Sequence, residues 1–248
     1  MKKRHLVFSI LVCAMTHSVM ALPKLSPLFS DHMVIQQQTS APIWGTASPK
    51  KTVVITPSWN NEKITVKADT KGEWKAVLKT PQAGGPYNIT ISDGKSIVLK
   101  DILIGEVWLC SGQSNMEFPV KGWSQVLNAD QEVTEANHKN IRLLQIHKVT
   151  AEEPSHQVVA NSSTWQECSS QSVPEFSAVA YFFARELNQK TGIPVGVIDA
   201  TWGGSNIESW ISKNTLQYAP QFADSIARKD YHPWRNSPTA LWNGMIQP

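Results

Sequence analysis

Three apolar runs, at residues 102–110, 141–146 and 194–200, alternate with helical stretches in the second part of the chain. Runs that are hydrophobic on both alternating faces must be covered on both sides. Strand–helix–strand order then points to a parallel sheet under helices. The clearest helix spans 174–190. Ser172 precedes Glu175 at capping-box spacing, and Phe176, Val179, Ala180, Phe183 and Leu187 recur in steps of three and four, which predicts one apolar stripe. Gly192 and Pro194 end it. In sheets of this kind ligands bind beyond the carboxyl ends of the strands.

Residues 22–100 have a different grain. Short β-rich runs at 53–55, 64–66, 74–78, 87–91 and 97–99 are punctuated by Asn60-Asn61, Lys71-Gly72, Gly84-Gly85-Pro86 and Asp93-Gly94. Asp93-Gly94 suits a hairpin because both positions tolerate positive φ. The expectation is α/β overall: an all-β, sandwich-like domain at 22–100, then a parallel-sheet domain at 101–248. Trp44, Trp59, Trp74 and Tyr87 either line a sugar-binding face or pack the β domain; core and edge packing is the preferred reading.

The first 21 residues read as an export signal: Lys2, Lys3 and Arg4, an apolar core, then Val19-Met20-Ala21 at the cleavage positions. The apolar part is too short for a membrane span. Cleavage would remove three of the 23 basic residues and none of the 20 acidic ones, leaving the charges balanced. That balance argues against nucleic acid or an anionic membrane as partner and, with the signal gone, leaves no integral membrane segment. Cys110 and Cys168 remain; Cys110, inside an apolar run, is expected to be a buried free thiol. No metal-ligand spacing occurs, so no metal or other cofactor is expected.

Ser114 follows the first apolar run just past Gly112, and Gly203-Gly204 follows the third. Both belong on the same rim of a parallel sheet. A hydroxyl held at a tight turn suits a nucleophile. A residue without Cβ lets backbone N–H approach a developing oxyanion. Ser205 and Glu208 repeat the capping-box spacing, which predicts a helix there with its N-terminal dipole toward negative charge.

The string Gly112-Gln113-Ser114-Asn115-Met116 resembles the sialate O-acetylesterase family, within the Ser-Gly-Asn-His hydrolase group. Leu28 to Gln36, Pro42-Ile43-Trp44-Gly45, Trp202 to Trp210 and Leu241 to Pro248 resemble further blocks of those esterases, in the same order. The resemblance implies an exported carbohydrate O-acetylesterase on a flavodoxin-like sheet. Ser114 would be its nucleophile and Gly204 its oxyanion donor. Gln113, Asn115, Gly203, Asn206 and Glu208 would line the substrate, an O-acetylated sugar. The family's Gly-Glu-Ser-Asn and Asp-x-x-His strings do not occur in this sequence. Of His32, His138, His147, His156 and His232, the last is the best local candidate for a base, with a surface role as its alternative. The expectation is therefore the N-terminal portion of a longer esterase. A catalytically inactive glycan-binding remnant and an acetylxylan-type esterase are the alternatives.

Overall fold

The computed structural model describes residues 22–157, 164–222 and 234–248. The expected signal at 1–21 lies outside them. Eight strands come first: β1 (Lys24–Leu25), β2 (Val34–Gln36), β3 (Ser40–Thr46), β4 (Thr52–Pro57), β5 (Ile64–Lys67), β6 (Glu73–Lys79), β7 (Gly84–Ser92) and β8 (Ser96–Gly112). They are followed by α1 (Ser114–Glu117), α2 (Ala129–Glu135), β9 (Asn137–Gln145), β10 (Gln166–Ser169), α3 (Ala178–Thr191), β11 (Val195–Thr201) and α4 (Lys213–Leu216). The result is a mixed α/β protein with sheets of mixed strand orientation and few helices. Among the described residues, no helix is long and apolar enough to cross a membrane.

Two sheets form. β1, β3 and β6 make a small antiparallel one, and the larger runs β10-β9-β11-β8-β7-β4-β5, with β2 also paired to β8. Strand β8, at 17 residues, joins the two parts of the chain, so position 100/101 lies inside it. Its first part pairs antiparallel with β7 across the Asp93-Gly94 turn. Its second part pairs parallel with β11, which is parallel in turn to β9.

Alternation across these parallel strands covers both faces of the sheet. Ile141 and Leu143 of β9 and Val195 and Val197 of β11 pack with Phe176, Tyr181 and Ala184 on the α3 side. Leu144 and Ala200 face the other way, into a core that also holds Ile43, Trp74 and Leu78 of the small sheet and Ile55, Ile89 and Ile91 of the large one. Trp74 is thus core, while Trp59 and Tyr87 pack edge to face at 5.7 Å. Cys110 and Cys168 are free thiols. Burial pushes Cys110 up to about 11 and Cys168 up to about 12.

Two local expectations need correction. The run at 102–110 is not buried throughout: Ile102–Ile104 are, but Trp108 and Leu109 are 45% and 51% exposed. Beyond Gly105 only β11 pairs with this strand among the described residues, which leaves one edge uncovered. The helix begins at Ala178, not 174. Residues 174–177 form a turn and a single β-bridge beside 118–121, with Lys121 N–H donating to Pro174 O and Ala178 N–H to Phe118 O, both at 2.8 Å. That pairing outcompetes the Ser172 cap; the Ser172 hydroxyl donates to Glu167 O instead. Ser177 caps the helix, accepting from Ala180 N–H at 3.1 Å. Its buried face is Ala178, Ala180, Tyr181 and Ala184, whereas Val179 and Phe183 are exposed. Gly192, in left-handed conformation, closes it.

Gly105 sits where β8 changes partners. A Cβ there would lie 2.0 Å from Pro194 O, the acceptor of the Glu106 N–H. Because the obstacle is backbone, Gly105→Ala must push β8 and β11 apart. It is expected to cost about 1–3 kcal/mol, read as a lower urea midpoint at unchanged slope; an unchanged midpoint would contradict this close approach.

Candidate active site

Strands β8 and β11 end together. Thr201 pairs with Gly112, and the Trp202 N–H donates to Gly112 O at 3.0 Å. Past Gly112, Gln113 is extended and Ser114 opens α1, whose Met116 and Glu117 amides bond back to Gln113 O at 2.9 and 3.0 Å. The Ser114 and Asn115 amides precede the first helical bond and have no acceptor within the turn. Ser114 is half-buried, and its Oγ donates to Gln113 Oε1 at 2.9 Å. Gln113 and Asn115 are exposed.

Gly203 meets Ser114. A Cβ on Gly203 would stand 3.5 Å from the serine Cβ and 2.9 Å from Glu117 Oε2. Gly203 N–H donates to that same oxygen, while Glu117 Oε1 pairs with Lys148. Glu117 therefore clamps the two turns together and occupies the Gly203 amide. Gly204 follows with φ +72°, a left-handed conformation that glycine adopts without cost. A Cβ there would lie 3.4 Å from Arg235 Nη2.

The helix expected from Ser205 is one turn of 3₁₀ helix over Ile207–Trp210, so the dipole argument does not hold at this site. Ser205 is diverted: its hydroxyl donates to Trp202 O at 2.7 Å and accepts from Trp210 Nε1 at 2.9 Å. Asn206 is exposed, and its N–H donates to Asn236 Oδ1. Glu208 is half-buried, and its carbonyl accepts from Thr239 N–H. His232 lies outside the described residues. Of the other histidines, His32 pairs with Asp101, His138 packs near Tyr181, and His147 and His156 are exposed. The Ser114 hydroxyl bonds to Gln113, not to any of them.

Asp199 was not singled out from sequence, although a carboxylate inside the run at 194–200 is itself a signal. It is 1% exposed, accepts from Thr201 Oγ1 at 2.6 Å, and lies on the face of β11 that also carries Val195 and Val197. Burial raises its pKa to about 6, against hydrogen bonds from Thr201 and Gln145; the Glu117 charge pushes the same way as burial. The folded state thus holds this proton to higher pH than the unfolded chain, where the group ionises near 3.8. The stabilisation is full below that value and is lost as pH rises through about 6. Asp199→Asn, which keeps an acceptor for Thr201, is expected to be the more stable protein at about pH 8, by up to about 3 kcal/mol. Its advantage should vanish toward about pH 4. Urea midpoints at both pH values measure this; a pH-independent difference would exclude a buried titrating carboxyl.

Elsewhere His32, Asp101 and Glu167 come together, but the buried Arg142 guanidinium stands among them, 3.2 Å from His32 Nδ1 and 3.8 Å from Glu167. Burial pushes the Asp101 carboxyl up, yet hydrogen bonds from Arg142 and His32 outweigh it and hold the group below its usual range. The group is an ion-pair tie with its own resident cation.

Residues 104–232 match the family described as carbohydrate esterase, sialic acid-specific acetylesterase. The chain is 30% identical to sialate O-acetylesterase of Homo sapiens and 28% to that of Mus musculus; in each comparison 91% of this chain is covered, against 46% and 49% of the relative. It spans about half the length of these curated relatives. A solved carbohydrate acetylesterase from Xanthomonas citri superposes with a TM-score of 0.78 at 34% identity, over 91% of this chain and 48% of that one. With a family match over more than half its length and a like fold beside it, the chain belongs to the sialic acid-specific acetylesterase family of carbohydrate esterases.

Proposed function

We propose that the protein is an exported esterase that removes O-acetyl groups from sialic-type sugars, with Ser114 as nucleophile. The carrying observation is the contact between Ser114 and Gly203 at the ends of two adjacent parallel strands. Ser114 Oγ attacks the acetyl carbonyl, and the sugar oxygen leaves with a proton. The acetyl-serine is then hydrolysed to acetate. With the Gly203 amide held by Glu117, the Ser114 and Gly204 amides are the donors left for the oxyanion. Gln113, Asn115, Asn206 and Glu208 would edge the sugar site.

The resemblance to the family implies an Asp-x-x-His string that supplies the base, and these 248 residues contain none. In this reading residues 1–21 are the export signal, 22–100 a sandwich-like domain and 101–248 the esterase domain. Support for the sandwich is the single core drawn from both sheets. Release of acetate from an O-acetylated sialic acid in the presence of imidazole as external base, with Ser114→Ala as the blank, tests the activity; equal release from both proteins rejects it. The bond that engages the Ser114 hydroxyl with Gln113 favours one second reading, an inactive glycan-binding protein. That reading predicts sugar retention without turnover.

A further inference from the structure

We infer that Arg235 binds the carboxylate of the sugar acid whose acetyl ester meets Ser114. The inference deepens the proposed function and rests on it for the location of the ester. Three arginines lie among the described residues. Arg142 pairs with Asp101, and Arg185 with Glu132. Arg235 has no carboxylate partner among the described residues, and its Nε is buried without an acceptor. A guanidinium carries five donors and stays charged at any working pH. Leaving the buried Nε–H without an acceptor is costly unless a ligand completes it.

Its surroundings say where that ligand sits. The guanidinium lies 4.8 Å from the centre of the Trp234 ring, a cation–π arrangement that orients the planar fork. Its Nη2 is 3.4 Å from the point a Cβ on Gly204 would occupy, so it rests against the same turn that touches Ser114. Gly203 contacts the nucleophile and Gly204 contacts the arginine, and consecutive α-carbons are about 3.8 Å apart. An ester on Ser114 and an anion on Arg235 therefore fit on one sugar.

The arm carrying Arg235 is tied down from both ends of its turn. Trp234 N–H donates to Ser237 Oγ at 3.1 Å, and Ser237 N–H returns to Trp234 O at 2.9 Å. Asn236 Oδ1 accepts from Asn206 N–H, and Thr239 N–H donates to Glu208 O, both at 3.0 Å. Asn206 and Glu208 thus serve, through their backbone, to hold the arginine in place. The competing charge nearby, Glu117, is neutralised by Lys148. A planar carboxylate matches the fork in two parallel hydrogen bonds. A neutral acetylated sugar would leave it empty.

The test is binding, which needs no base. N-acetylneuraminic acid and its methyl ester, which lacks the negative charge, are titrated into the purified protein by calorimetry. The acid is expected to bind about tenfold tighter or more, the effect of one charge-assisted pair, and to lose that margin as salt is raised. Arg235→Ala should erase the preference and leave the affinity for the methyl ester within about threefold, while Arg235→Lys should keep part of it. Thermal unfolding checks each variant, and Arg235→Gln replaces any that does not fold. Equal affinity for acid and ester in the unsubstituted protein, no binding of either, or a preference that survives loss of the guanidinium would each overturn the inference. Ser114→Ala should bind like the unsubstituted protein. Acid preference without any Ser114-dependent ester hydrolysis in added imidazole would remove the nucleophile and leave Arg235 standing; such hydrolysis without the preference would do the reverse.

Discussion

Ser114→Ala is expected to lower imidazole-assisted hydrolysis of an aryl acetate by about 10²-fold or more, after subtraction of the reaction in imidazole alone. A positioned base contributes about 10²–10⁴-fold to such chemistry. The described residues hold the Ser114 hydroxyl against Gln113 rather than a histidine. Imidazole in solution can take that proton in place of a side chain, so the rate should rise with its concentration only where the hydroxyl is present. The substitution removes one side-chain bond to an exposed glutamine from a half-buried position. Its cost to stability should stay within about 0.5 kcal/mol, so lost activity will report chemistry rather than unfolding. Identical rates for the two proteins at every imidazole concentration would dismiss serine catalysis.

Gly204→Val should come next, with a loss of about 10²–10³-fold in the Ser114-dependent part of that rate. Gly204 has φ +72°, a region where a β-branched residue is strained. Relief of the strain rotates the peptide and carries the donor N–H away from the oxyanion. For alanine space is not the limit, because its Cβ would meet the Arg235 guanidinium only at 3.4 Å, whereas the γ-methyls of valine would also press on that group. Gly204→Ala, whose smaller side chain resists φ > 0 less than valine's, should therefore fall between the two. Activity independent of the residue at 204 would remove this amide from the mechanism. Either outcome leaves the Arg235 titration unaffected, since that experiment reads affinity for a carboxylate.

Local pattern carried much of this architecture. Short β-rich runs marked β4, β5, β6 and β7, continuous apolar runs marked β9 and β11, and the Asp93-Gly94 turn joined β7 to β8. These features depend on residues a few positions apart, so they survive without knowledge of the fold. The three N-terminal strands were missed: β1 and β2 have two and three residues, and Pro42 and Gly45 interrupt β3. The helix starts failed for a related reason. Ser172 and Ser205 both carry capping-box spacing, but each hydroxyl found another partner, Glu167 O for one and Trp202 O for the other.

By itself the sequence determined most of the strands, the helix that covers the parallel sheet, and the presence of a serine turn and a diglycine turn after strands of like direction. Tertiary structure alone decided what surrounds them. The Glu117–Gly203 clamp joins residues 86 apart and its Lys148 partner lies 31 away; the buried Asp199 carboxyl and Arg235, beside Gly204 and without a carboxylate partner among the described residues, likewise emerge only once the chain is folded. The physical reason is range. Turn chemistry and hydrophobic period act over one or two turns of chain, whereas charge pairing and burial depend on contacts between segments whose separation no short pattern encodes.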